Sequence, residues 1–283
     1  MAGFFGFFDY TKPGPGIPKD APPKARIIVF FEIFSRKFWN LIKINMMFSL
    51  FNIPGIVAAV VASIFILQNP IVEDPLQELF MRFVFGTVLV CIPVVTVGPA
   101  QAGFTYILRN YAREEHAFIW GDFKEHAAKN FKEGLLISVI DFIIVIVMGI
   151  AINFYWEHKE SNLMMSFAAG LLVISFVIFM MMHMYIYPML VTFKLTVKQI
   201  YKNALIFAII KFFPNLGILM LCSLLIFATF YFPVVGVILF LLITVSTIGL
   251  ITNFFVYPSL KKYLMDKLED RNPSGEIDQQ SET

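Results

Sequence analysis

The sequence reads as an all-α, polytopic transmembrane helical bundle, six spans folded as three helical hairpins. Of its 283 residues 58% are hydrophobic and only 15% charged, with a mean hydropathy of +0.76, whereas soluble domains carry roughly 25% charge. No Asp, Glu, Lys or Arg occurs from Phe212 to Leu260; as one helix that stretch would be about twice the thickness of a bilayer core, so it has to fold back on itself. The apolar runs also lack the apolar/polar alternation and short turns of an outer-membrane barrel, which leaves helices as the way to satisfy backbone groups in hydrocarbon. These observations exclude an ordinary soluble domain and a single-anchor enzyme. A net charge of +2 with scattered basic residues argues against a nucleic-acid partner.

In chain order, residues 1–39 read as a cytoplasmic N-terminal segment. Its first part carries the doublets Phe4-Phe5 and Phe7-Phe8 and then a Pro/Gly-rich stretch, with neither the basic start nor the apolar core of a secretion signal, so it is expected to stay on the mature protein. Residues 40–260 read as the membrane domain, with spans near 41–67, 81–106, 135–156, 164–189, 206–231 and 233–258. The last two separate at Tyr231-Phe232-Pro233, because proline suits the first turn of a helix and aromatic residues suit an interface. Two amphipathic segments, 107–134 and 190–205, are expected to be helical and cytoplasmic, and 261–283 forms a polar cytoplasmic tail.

Orientation follows from the basic residues. All but Arg82 and Lys159 of the 22 flank the same side of these six spans, and those two sit at the other face, near the acidic loop of Glu73, Asp74 and Glu78. The positive-inside bias then places both termini in the cytoplasm.

A weak threefold repeat accompanies this pattern. Asn40, Asn130 and Asn203 precede alternate spans, and Pro99, Pro188 and Pro258 close the spans that follow, at separations of 59, 58 and 55 residues. Pro54 and Pro214 add a further match between spans one and five. The alternative is that prolines simply collect at span ends, where freed carbonyls find water.

Several stretches carry a family resemblance: GFFGFF at 3–8, KPGPGI at 12–17, FSRKFWNLIKIN at 34–45, IPVVTVGPAQAG at 92–103 and LRNYAREEHAFIWGDFKEHAAKNFKE at 108–133. Together they resemble the YesL family of bacterial integral membrane proteins, whose shared domain has no assigned function. The resemblance implies residence in the bacterial plasma membrane and an accessory role in carbohydrate import, since such proteins are often encoded beside carbohydrate-uptake ABC transporters.

Two groups of residues stand out for chemistry. Asp141 is the one carboxylate inside a span, about two turns into the third from its cytoplasmic end. His183 lies at matching depth in the antiparallel fourth, so the two form a candidate intramembrane pair that could hold a proton or orient the helices. Snorkelling of Asp141, or a hydrogen bond to Ser138, is the alternative. The cytoplasmic residues Arg109, Arg113, Glu114, Glu115, Trp120, Asp122 and Phe123 form a candidate partner surface, with Glu115–Lys124 and Asp122–Arg109 as candidate ion pairs. Lys43 and Lys211, just inside spans one and five, are expected to snorkel.

Metal and cofactor binding have no sequence support. His116 and His126 do not share a helical turn, Met180 to Met182 point around their helix, and Cys91 and Cys222 sit in apolar runs. No nucleophile motif occurs, so no enzyme activity and no cofactor are expected. The functional expectation is therefore a non-enzymatic accessory or regulatory component associated with carbohydrate ABC-transporter uptake, partnered by the bilayer and by transporter subunits. The alternative is a small-molecule transporter or permease subunit in its own right. Against that alternative, the loose Glu-Ala-Ala likeness at Glu125 to Ala128 lacks the Ile-x-Leu-Pro ending, and mid-membrane polar groups look few: Ser63, Thr87, Ser175, Ser223 and Ser246.

Overall fold

The computed structural model describes residues 24–68, 97–158 and 162–265, and among these every regular element is helical. The elements are α1 (Arg26–Gln68), α2 (97–112), α3 (Ile119–Lys129), α4 (Phe131–Glu157), α5 (Leu163–Leu190), α6 (Val197–Ile210), α7 (Phe212–Thr229), α8 (Pro233–Leu239) and α9 (Val245–Leu260). A π-helical turn, Phe240–Thr244, joins α8 to α9, and a second, Lys261–Met265, follows α9.

Four stretches are long and apolar enough to cross a membrane: Phe131–Ile152, Leu163–Leu190, Phe212–Thr229 and Val234–Leu264. Their outward faces are what water would not tolerate. Ile143, Ile146 and Ile150 of α4, Phe167 of α5, and Leu224 and Phe227 of α7 are all exposed, and apolar surface on that scale belongs against lipid. The described residues are those of a multi-pass membrane protein. They match the third to sixth expected spans with shifted ends. Most of the second expected span, and the basic and acidic residues of the opposite face, lie outside the described residues.

Two compact units divide within α1, between Arg36 and Lys37. In the first, Lys24 pairs with Glu32 at 2.5 Å and Phe30 packs its ring near Phe31 and Phe34. α1 is one helix of 43 residues with Pro54 inside it.

In the second unit α5 is the hub, packing against α4, α6, α7 and α9. Burial is concentrated in its last turns: Met181, Tyr185, Ile186 and Met189 are fully enclosed, with Ile137 of α4, Ile200 and Ala204 of α6, and Val256 of α9 around them. The opposite end of α5, from Leu163 to Leu171, is largely exposed. The loop after α5 ends in a Thr196 capping box: the hydroxyl accepts from the Gln199 N–H while the Gln199 side chain accepts from the Thr196 N–H.

α2 and α4 touch through bare backbone. A Cβ on Gly98 would sit 2.1 Å from the Gly134 carbonyl oxygen, and one on Gly134 would sit 2.9 Å from that of Gly98, so glycine at both positions is what lets the two helices meet. Gly103 does the same for α3, where a Cβ would lie 2.4 Å from the Phe123 carbonyl oxygen.

One helix break departs from the expected spans and another matches them. The fifth does not begin at 206: α6 stops at Ile210, and Lys211 adopts φ −109°, ψ 36° before α7 starts. Pro214 has no N–H to offer the carbonyl four residues back, which is why the ladder fails there. The expected turn before Pro233 is present, with that proline in the first turn of α8. The three repeat asparagines occupy unlike places. Asn40 lies inside α1, Asn130 between α3 and α4, and Asn203 inside α6, while α2 runs on past Pro99 to residue 112.

The glycine contact is testable. Gly134→Val is expected to destabilise the protein by about 1–3 kcal/mol, the usual cost of overpacking. Gly149→Val, where nothing lies within 4 Å of the added carbon, should leave thermal unfolding in lipid nanodiscs nearly unchanged.

Candidate functional site

Asp141 and His183 meet. The third position of a turn pattern on α4 (Ile137, Ser138, Asp141) faces α5, and His183 Nε2 lies 2.9 Å from Asp141 Oδ2. The other ring nitrogen, Nδ1, lies 2.9 Å from the Phe179 carbonyl oxygen one turn back on α5. A third group joins them: the Tyr201 hydroxyl of α6 donates to Asp141 Oδ1 at 2.5 Å. Tyr187, one turn on from His183, also faces the carboxylate. Burial, and then the Asp141 carboxylate, push the Tyr201 phenol well above its ordinary range. This tyrosine, whose hydroxyl reaches in from the helix beyond the α5–α6 loop, stands where the alternative bond to Ser138 was expected.

The residues of the candidate partner surface occupy unlike places. Glu114, Glu115 and Trp120 are exposed. Phe123 is not: it is buried, its ring 5.2 Å from Phe51 of α1 and its backbone against Gly103. Arg109 also turns inward, donating to the Val191 carbonyl oxygen at 2.7 Å and to Thr192 Oγ1 at 3.3 Å, and so ties α2 to the α5–α6 loop. Burial first and the charge of Arg113 second pull its guanidinium down to about 10, which leaves it a cation at neutral pH. Asp122 accepts from the Phe118 N–H at 2.8 Å and caps α3, so neither expected ion pair forms. Glu115 instead lies 3.8 Å from Arg113, whose guanidinium stands over the Tyr257 ring of α9.

The turn from α2 to α3 is tightly tied. Glu114 takes a left-handed φ of 62°, which is uncommon for a non-glycine residue. The Asn110 carbonyl accepts from the Arg113 and Glu115 N–H groups, and its side-chain amide reaches the His116 carbonyl. Below it, His126 stacks on Tyr106 with ring centroids 3.3 Å apart, and Arg109 covers the same tyrosine at 4.4 Å. Burial, reinforced by Arg109 and Lys129, pushes the His126 imidazole down to about 4.

Sequence reasoning missed two asparagines. Asn45 of α1 is fully buried and inserts its amide into the π-helical turn. Nδ2 donates to the Phe240 and Leu241 carbonyls at 2.9 and 2.7 Å, while Oδ1 accepts from the Ser246 N–H at 2.7 Å. Asn215 does the same at the α6–α7 break, donating to the Phe207 carbonyl at 3.0 Å and accepting from the Tyr185 hydroxyl at 2.7 Å. An amide is suited to this because it carries a donor and an acceptor together. The available signal was an asparagine within an apolar run. Lys211, expected to snorkel, donates inward to Ser259 Oγ at 2.6 Å.

The family model described as "Protein of unknown function, DUF624" matches residues 41–154, from α1 into α4. Asp141 lies within that match; His183 and Tyr201 lie beyond it. No curated protein and no solved structure matches the chain. Among the described residues no group of three or more His, Cys, Asp or Glu could hold a metal ion.

Two outcomes follow. Asn45→Leu strands the groups of the π-helical turn and should cost about 1–3 kcal/mol for each buried polar group left unpaired. Asn52→Leu, whose amide bonds only the Phe48 carbonyl of its own helix, should cost far less in the same thermal unfolding measurement. For His126, the unfolded chain binds a proton near pH 6.5 that the folded chain refuses until about pH 4. Stability should therefore fall as pH drops through that window, and His126→Gln should flatten that part of the stability profile.

Proposed function

We propose that this chain is a six-span member of the YesL family in the bacterial plasma membrane, with both termini cytoplasmic. Its role there is that of a non-enzymatic accessory or regulatory component associated with carbohydrate ABC-transporter uptake. The observation that carries the docking part of this reading is the elbow between α2 and α3. It presents Phe118 and Trp120 at 71% and 62% exposure beside the exposed Glu114 and Glu115, on a turn fixed by Asn110, Arg109 and Asp122. Exposed aromatic side chains on a fixed backbone suit protein recognition, because little freedom is lost on binding. The transporter subunit as partner rests on the resemblance of residues 3–8, 12–17, 34–45, 92–103 and 108–133 to that family.

The positions of the intramembrane amides support an accessory role over a carrier. Asn45 and Asn215 spend their donors and acceptors on backbone carbonyls, an N–H and a tyrosine hydroxyl, which leaves them nothing with which to recognise a sugar.

A photo-crosslinking residue at position 120, used in native membranes of cells growing on a polysaccharide, is expected to capture a transporter subunit. Phe118→Ala with Trp120→Ala should reduce co-purification of that subunit about tenfold or more, the effect of losing one well-packed interface aromatic. Recovery of no transporter subunit from the unaltered chain would sink the accessory reading.

A further inference from the structure

The contacts around Asp141 restrict where protons can sit. A carbonyl oxygen only accepts, so His183 Nδ1, facing the Phe179 carbonyl at 2.9 Å, carries a hydrogen. Tyr201 has one hydroxyl hydrogen and two acceptors within reach, the Ile137 carbonyl at 3.4 Å and Asp141 Oδ1 at 2.5 Å. The shorter contact has the length of a bond to an ionised carboxylate. An ionised carboxylate only accepts, so His183 Nε2, 2.9 Å from Oδ2, carries a hydrogen as well. An imidazolium beside a carboxylate, neutral in sum and held by three helices, satisfies all of these contacts.

We propose that Asp141, His183 and Tyr201 form a one-proton binding site whose occupancy clasps α6 to α4 and α5. When the proton leaves, the Nε2–H bond breaks, its electron pair stays on nitrogen, and the proton passes to water. The Nδ1–H bond to the Phe179 carbonyl is kept. The Nε2 lone pair then faces the Oδ2 lone pair, an unfavourable contact, and Asp141 is left as an unbalanced anion where such a charge is costly. Separation of Asp141 from His183 follows. Because Tyr201 is bonded to the same carboxylate, α6 shifts with it.

The two side chains are not sealed within the helices, with exposures of 30% for His183 and 17% for Asp141. The other titratable groups around the pair are few. Tyr187 faces it from α5, while Lys198 and Lys202 of α6 and Lys132 and Glu133 of α4 are exposed. α7 contributes no charged residue, and the Tyr257 ring of α9 is occupied by Arg113. This inference stands apart from the transporter-partner reading and needs no partner.

The test uses the full chain in lipid nanodiscs with ¹⁵N-labelled histidine, the His183 signals being assigned by their loss in His183→Gln. At pH 7 the native chain should show both His183 ring nitrogens protonated, with the Nε2 proton the one lost as the pH is raised. Asp141→Asn should show a single protonated nitrogen at pH 7. One protonated nitrogen in the native chain at pH 7, or two in Asp141→Asn, overturns the site. The clasp is read separately by spin-label distances between Lys202→Cys of α6 and the exposed Ile174→Cys of α5, with Cys91 and Cys222 replaced by alanine. That distance should lengthen as the pH is raised, and should no longer change with pH in Tyr201→Phe, which keeps the two histidine protons but does not tie α6 to Asp141. A distance indifferent to pH in the chain that keeps Tyr201 overturns the clasp.

Discussion

Where no water can reach, a helix that breaks must find partners for the backbone groups it frees. Among the described residues, two irregularities inside apolar sequence are repaired in this way, at Lys211 and at the π-helical turn Phe240–Thr244. Each time a single asparagine supplies a donor and an acceptor in one planar group. The two repairs are also the joints of the bundle: Asn45 fixes α1 to the α8–α9 irregularity, and Asn215 fixes α7 to both α6 and α5 through Tyr185. The same polar groups that make the breaks tolerable therefore decide which helices are neighbours.

Around these joints the packing is one-sided. The last turns of α5 are enclosed by α4, α6 and α9, whereas its first turns and the outer faces of α4 and α7 present side chains outward. Arg109 reinforces the enclosed end by holding the α5–α6 loop, and the Thr196 capping box sets the direction in which α6 leaves it. Tyr201 reaches Asp141 because that loop is short and fixed at both ends.

Much of the helical layout was legible because apolar length and charge placement are one-dimensional properties. The charge-free stretch after Phe212 and the proline at 233 mark α7 and α8 directly, and equal depth in antiparallel spans was enough to bring Asp141 to His183. Rotation about a helix axis is not written that way. Phe123 sits among polar residues in sequence yet faces inward, since α3 has one face on Gly103, and Arg109, a cation, turns to the α5–α6 loop. Partners far apart in the chain were equally hidden: Tyr201 is 60 residues from Asp141, and Asn45 is 201 residues from Ser246. The span-five boundary failed because hydropathy does not register a missing N–H at Pro214.

The crossing of α2 and α4 at Gly98 and Gly134 has a mechanical consequence. Helices that interlock through side chains must lift those side chains over one another to turn. Here two glycine backbones touch with only the Ser138 hydroxyl beside them, so this crossing leaves few side chains in the way of a swivel. It gives the molecule a bearing at the foot of the helix that carries Asp141.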